Sequence, residues 1–238
     1  MRKILLIFTI LILIFGVINI SYVKSEEEVK IFGYGPLNKN FYNVKDIKYF
    51  NGNFFVLDSM HYRVLIFDKD FNLISGFGGF GDTLNTFTNP TSIFVDEDYI
   101  FVCDLNSNKV KVFRHNGEFA GFFIQFPKML PTSITIDSNY NIWITDRGDD
   151  TVKVFSIDND LKMIIGKSGS GKKEFKTPLD IQFFDNKIYV LDSGNARVQV
   201  LNTNGGYLSE FGTVGTDDGK LYCPNSFSFD KNGNLWIV

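Results

Sequence analysis

Apolar and polar positions recur in phase along this chain. The recurring unit is an aromatic or apolar pair, an Asp, a polar turn, then a basic or polar residue followed by Val. Its four copies are Phe55-Val56-Leu57-Asp58 with Arg63-Val64-Leu65-Ile66-Phe67, and Phe101-Val102-Cys103-Asp104 with Lys109-Val110-Lys111-Val112-Phe113. Trp143-Ile144-Thr145-Asp146 with Thr151-Val152-Lys153-Val154-Phe155 is the third, and Tyr189-Val190-Leu191-Asp192 with Arg197-Val198-Gln199-Val200-Leu201 the fourth. The Asp residues lie 46, 42 and 46 residues apart. A second marker, Pro90, Pro131, Pro178 or Pro224, precedes a short strand-like run, and Val44 takes its place in the first copy. It stands 14, 14, 15 and 14 residues ahead of the Asp in the complete copies. A third marker, Gly78, Gly166 or Gly212, follows the Asp by 20 residues and is missing only from the second copy.

Each unit of about 45 residues holds four β-rich segments, near 46–50, 53–58, 63–67 and 72–77 in the first copy. Their β-branched and aromatic content reads as strands. Asn-Gly pairs at Asn51-Gly52, Asn116-Gly117, Asn204-Gly205 and Asn232-Gly233 mark hairpins. Each unit is therefore expected to be an up-and-down, four-stranded antiparallel sheet. One such sheet buries too little apolar surface alone, so the fold class is all-β, a β-propeller of radially arranged blades.

These residues resemble the NHL repeat. The fourth copy carries the pattern best, in Phe175-Lys176-Thr177-Pro178, Ile181, Tyr189-Val190-Leu191-Asp192, Asn195, Arg197-Val198-Gln199-Val200 and Phe211-Gly212. The resemblance runs from about Val29 onward and implies six blades. It is specific for architecture and nearly silent on activity, because relatives include extracellular lyases with a channel metal, RNA-binding modules and bacterial sensor domains. In one respect this chain departs from the family. Where NHL repeats usually place a Gly two residues after the Pro, it has Asp46, Ser92, Ser133, Asp180 and Ser226.

The ends suggest an arc of about four and a half of six blades, within a full chain of roughly 290 residues or more at about 45 per repeat. Phe227-Ser228-Phe229 and Leu235-Trp236-Ile237-Val238 read as the first two strands of a fifth unit. Val29-Lys30-Ile31-Phe32-Gly33 reads as an orphan fourth strand able to latch the ring. Ahead of it, Arg2 and Lys3 precede an apolar run from Ile4 to about Ile20, ending in Val23-Lys24-Ser25. Residues 1–25 thus read as a signal peptide, with 26–238 as the propeller and an exported destination, whether periplasmic, cell-surface or secreted. The other reading is an uncleaved anchor, the one case in which a membrane is a partner.

Cleavage would leave 21 basic against 27 acidic residues, a net of −6. That balance opposes nonspecific nucleic-acid binding, which depends on neutralising phosphates. Cys103 and Cys223 fall in blades that are not neighbours and read as two separate, buried thiols. The repeat Asp residues read as structural, accepting backbone N–H groups at turns. Gly166-Lys167-Ser168-Gly169-Ser170-Gly171-Lys172-Lys173 looks like a phosphate loop, but Lys173 stands where Ser or Thr is needed and no helix follows. Arg147-Gly148-Asp149 reads as an exposed turn that uses Gly for its backbone freedom. His61 and His115, the only histidines, are out of phase and make no metal site.

The remaining candidates occupy one repeated position near the start of each innermost strand, namely Asp46, Ser92, Ser133, Asp180 and Ser226. Facing the axis, they would form a collar of oxygens suited to a polar ligand or to a divalent cation in the central channel. Otherwise they bond the backbone of the next blade. The functional expectation is a non-catalytic scaffold that binds a protein or a small polar ligand, or the sensing part of a longer protein. The alternative is a metal-dependent channel enzyme of lyase or lactonase type.

Overall fold

The computed structural model describes residues 41–125 and 128–238. The segments read as a signal peptide and as an orphan fourth strand lie outside them. The first blade is β1 (Val44–Phe50), β2 (Asn53–Asp58), β3 (Arg63–Phe67) and β4 (Leu73–Gly78). The second is β5 (Pro90–Val95), β6 (Tyr99–Asp104), β7 (Lys109–Arg114) and β8 (Phe119–Gln125). The third is β9 (Pro131–Ile136), β10 (Ile142–Asp146), β11 (Thr151–Phe155) and β12 (Leu161–Ile165). The fourth is β13 (Pro178–Phe184), β14 (Lys187–Asp192), β15 (Arg197–Asn202) and β16 (Tyr207–Phe211). A pair, β17 (Phe227–Phe229) and β18 (Leu235–Ile237), follows. Every sheet is antiparallel with its strands in sequence order, and the all-β propeller expected from the repeat is what the chain forms.

The sequence markers are register marks. Val44 pairs with Asp58, Pro90 with Asp104, Pro131 with Asp146 and Pro178 with Asp192. Each repeat Asp then reaches back 16 residues to accept a backbone N–H from the segment that enters its own blade, at Tyr42, Thr88, Leu130 or Lys176. A basic side chain from the third strand closes the latch. Arg63 binds Asp58, Lys111 binds Asp104, Lys153 binds Asp146 and Arg197 binds Asp192. All four carboxylates are buried, so the structural reading of these Asp residues holds.

The third marker also has a steric cause. Gly78 sits at φ 114°, and a Cβ there would lie 2.4 Å from the Tyr62 carbonyl oxygen. The second blade, which lacks this Gly, instead has two register shifts between β7 and β8. Of the Asn-Gly pairs only Asn51-Gly52 has both residues at positive φ, the two-residue hairpin form. At Gly117, Gly205 and Gly233 the turn closes by an N–H bond to the residue three back, as a longer loop with Gly at its left-handed position.

Apolar cores lie between blades. Phe55 packs against Ile93, Ile100 and Val102 of the second blade. Phe101 packs with Ile134, Ile142 and Ile144 of the third. Trp143 packs with Ile181, Ile188 and Val190 of the fourth. One slot, three residues before the Asp, supplies the bulky ring each time. Blades are also tied by a hydroxyl to the carbonyl of the next marker Pro. Ser59 reaches Pro90, Thr91 reaches Pro131, Thr132 reaches Pro178 and Ser193 reaches Pro224. Cys103 is buried as expected, but Cys223 is exposed. It lies in the connector just before Pro224, at φ 50°.

Candidate functional site

The innermost strands β1, β5, β9, β13 and β17 stand side by side, and the five collar residues meet near their starts. Ser92 Oγ donates to Asp46 Oδ2 at 2.8 Å and lies 3.3 Å from Ser133 Oγ. Ser133 Oγ donates to Asp180 Oδ1 at 2.8 Å, and Ser226 Oγ donates to Asp180 Oδ2 at 2.8 Å. The result is one hydrogen-bonded arc across five innermost strands. The alternative role is met at the same time, because Ile93 N–H donates to Asp46 and Phe227 N–H donates to Asp180. These side chains thus both staple neighbouring blades and line one cavity.

Lys48, two residues further along β1, was missed by the repeat analysis. Its Nζ lies 2.9 Å from Asp46 Oδ1. Burial opposes its charge, but the Asp46 and Asp180 carboxylates outweigh this and raise its pKa. Burial in turn pushes the Asp180 carboxyl above the ordinary carboxylate range, against the pull of Lys48. A raised carboxyl binds its proton more tightly in the folded state. Asp180 therefore contributes stability at low pH that is lost as pH rises through its raised value. Replacing Lys48 with Met removes the opposing cation. The Asp180 titration midpoint, followed by carboxyl ¹³C NMR, is expected to move further up; an unmoved midpoint would show that the two groups do not interact.

This arrangement does not fit a divalent cation. Asp46 Oδ1 holds Lys48 and its Oδ2 holds Ser92 and Ile93, while both Asp180 oxygens each accept two donors. An ammonium already sits where a cation would neutralise the pair. Among the described residues no three His, Cys, Asp or Glu side chains converge on a metal position.

Above the arc, at the end where strand starts and blade connectors meet, lies a cavity of 220 Å³. Its walls include Lys45, Asn89, Arg147, Leu179 and Asn225, and its floor is the collar. Lys45 is half-buried, and burial lowers its pKa.

The other sequence candidates lie elsewhere in the fold. In the phosphate-loop lookalike, Gly169 N–H donates to the Phe175 carbonyl, Gly171 N–H to Glu174 and Lys173 N–H to Gln199, so these amides already have protein acceptors. The same connector recurs as bridges Phe80 to Phe87 and Val214 to Leu221. Asp149 of the Arg147-Gly148-Asp149 turn is held by Lys153 and Thr151. His61 serves the Asp58 latch, and His115 bonds the Asp96 carbonyl. Burial first, then Asp46 and Asp104, push the Cys103 thiol up, so it stays protonated.

Taken together, sheets, ties and axis define a β-propeller. A family described as a 6-bladed beta-propeller matches residues 38–127, the first two blades. Among solved structures, a streptogramin B lyase is 18% identical with a TM-score of 0.62, over 82% of this chain and 61% of that one. A catalytically inactive virginiamycin B lyase from Staphylococcus aureus, solved with quinupristin, is 15% identical with a TM-score of 0.62, over 82% and 62%. A protein of unknown function from Bacteroides caccae is 14% identical with a TM-score of 0.53, over 76% and 62%. The chain thus spans about three fifths of the length of these structures. At such identities the likeness is one of fold.

Proposed function

We propose that this chain belongs to an exported NHL-repeat propeller that acts as a non-catalytic scaffold, binding a small polar ligand or a protein segment at the channel mouth. It can act alone or as the sensing part of a longer protein. The observation that carries this is the polar cavity over the Asp46–Ser92–Ser133–Asp180–Ser226 arc, whose floor groups are held by neighbouring blades and so are already in place for a ligand. Pockets with a few fixed polar groups are where small ligands bind. The metal-dependent lyase or lactonase alternative needs free carboxylates or imidazoles on the axis. Here the carboxylates hold an ammonium, hydroxyls and amides. Export rests on the sequence of residues 1–25.

Asn89 lines the cavity, and among the described residues its side chain makes only a 3.5 Å contact to Asn106. Asn89→Trp should fill the cavity without disturbing the arc. In a ligand-observed NMR screen of polar fragments against the full chain, fragments that bind the parent should lose binding to this variant. Hits that bind both proteins equally would place recognition elsewhere.

A further inference from the structure

We infer that the channel mouth selects a small hydroxylated carboxylate, with its acid group held at the rim by Lys45 and Arg147 and its hydroxyls turned to the collar. This rests on the channel-mouth reading above and gives it a ligand class.

Two positions compete to bond the next marker Pro carbonyl, the residue after the marker and the residue after the repeat Asp. In the second and third blades Thr91 and Thr132 make the bond, which leaves Leu105 and Arg147 at the turn position free of that duty. In the first blade Ser59 makes it, which leaves Lys45 free in the same way. The two freed positions in the cavity wall that carry charge are therefore both cationic. Neither side chain has an ion-pair or hydrogen-bond partner among the described residues. Both line the one cavity. A half-buried amine with no counter-charge is disfavoured, as the lowered pKa of Lys45 reflects, and an anion beside it relieves that cost. Arg147 adds a planar fork suited to a carboxylate.

The floor asks for the opposite chemistry. Asp46 Oδ1 accepts only Lys48 and keeps a lone pair for a hydroxyl donor. Asn225, in the cavity wall, offers a side-chain amide with no hydrogen-bond partner among the described residues. An acid end at the rim and hydroxyls below match this polarity, and 220 Å³ suits a molecule of about one sugar ring.

The test uses the full chain with D-glucuronate, D-glucose and inorganic phosphate, followed by ligand-observed NMR at low ionic strength. Glucuronate should bind at least tenfold more tightly than glucose or phosphate. Lys45→Gln and Arg147→Gln should each weaken it at least fivefold while leaving the melting temperature in place, since neither residue ties the fold. Equal binding of glucose and glucuronate, both abolished by Asn89→Trp, would overturn the acid end but leave the channel-mouth reading standing. Phosphate binding as tight as glucuronate would overturn the hydroxyl end. Binding of none of the three would overturn the inference. If ligands bind but ignore Asn89→Trp, the channel-mouth reading falls with it.

Discussion

An Asp104→Ala variant is expected to lose about 3–5 kcal/mol of unfolding free energy, the range for breaking a buried ion pair from one side. Asp104 is fully buried. It accepts the N–H groups of Thr88 and Asn89 and the Thr88 hydroxyl. Lys111, also fully buried, lies 3.4 Å away. The ammonium otherwise rests on the Thr83 and Thr86 carbonyls and over the Phe87 ring, with the exposed Asp82 carboxylate 3.9 Å away. The carbonyl dipoles and a more distant, solvent-screened carboxylate replace the buried Asp104 charge only in part. Removing the carboxylate thus leaves a buried cation with only its weaker partner, and two amides that have lost their acceptor. Urea denaturation of the full chain measures the loss. The double variant Asp104→Ala with Lys111→Met should recover a large part of it, because the poorly compensated buried charge leaves too. A single-variant loss below about 1 kcal/mol, the scale of an exposed pair, would show that this latch is not a buried ion pair in effect.

The same latch shows why so much of the fold was legible. A radial fold repeats its local chemistry, so each structural duty appears in the sequence as a phase-locked residue. The marker and the Asp pair across the first hairpin, which is why their spacing stays near 14 residues. Twice the repeat logic misled. Cys223 has no counterpart in any other copy, and phase alone said nothing of its exposure. The Asn-Gly pairs looked alike, yet three belong to longer turns, two of them beside a register shift in the strands they join. Of the site, the collar was legible because it is a repeated position that departs from Gly in every copy. Lys48, Lys45 and Arg147 were not, because each is unique to its blade. Their convergence depends on how the blades pack side by side, and a charged residue at one of several equivalent positions looks in sequence like an ordinary surface residue. Repetition reveals scaffold, and recognition is written in the exceptions to it.

Trp143 is the largest exception in the core, and its truncation should be about as costly as loss of the latch. Trp143→Ala is expected to destabilise the chain by about 3–5 kcal/mol. The side chain is fully buried between the third and fourth blades, among Ile165, Phe175, Ile181 and Val190. Its Nε1–H donates to Asp137 Oδ2 at 2.9 Å, and that carboxylate also orders the turn at Asn139 and Asn141. Alanine would open a cavity that stiff β-branched neighbours on two sheets cannot close. It would also remove a donor from a buried carboxylate. Phe is the informative comparison. Phe55, Phe101 and Tyr189 fill the same slot in the other blades, so Trp143→Phe should cost well under half as much, with its loss confined to the indole hydrogen bond and some volume. Parallel urea denaturation of the two variants separates these terms. Equal losses for Phe and Ala would place most of the energy in the Asp137 bond, whereas a near-silent Phe variant would place it in the packing between blades.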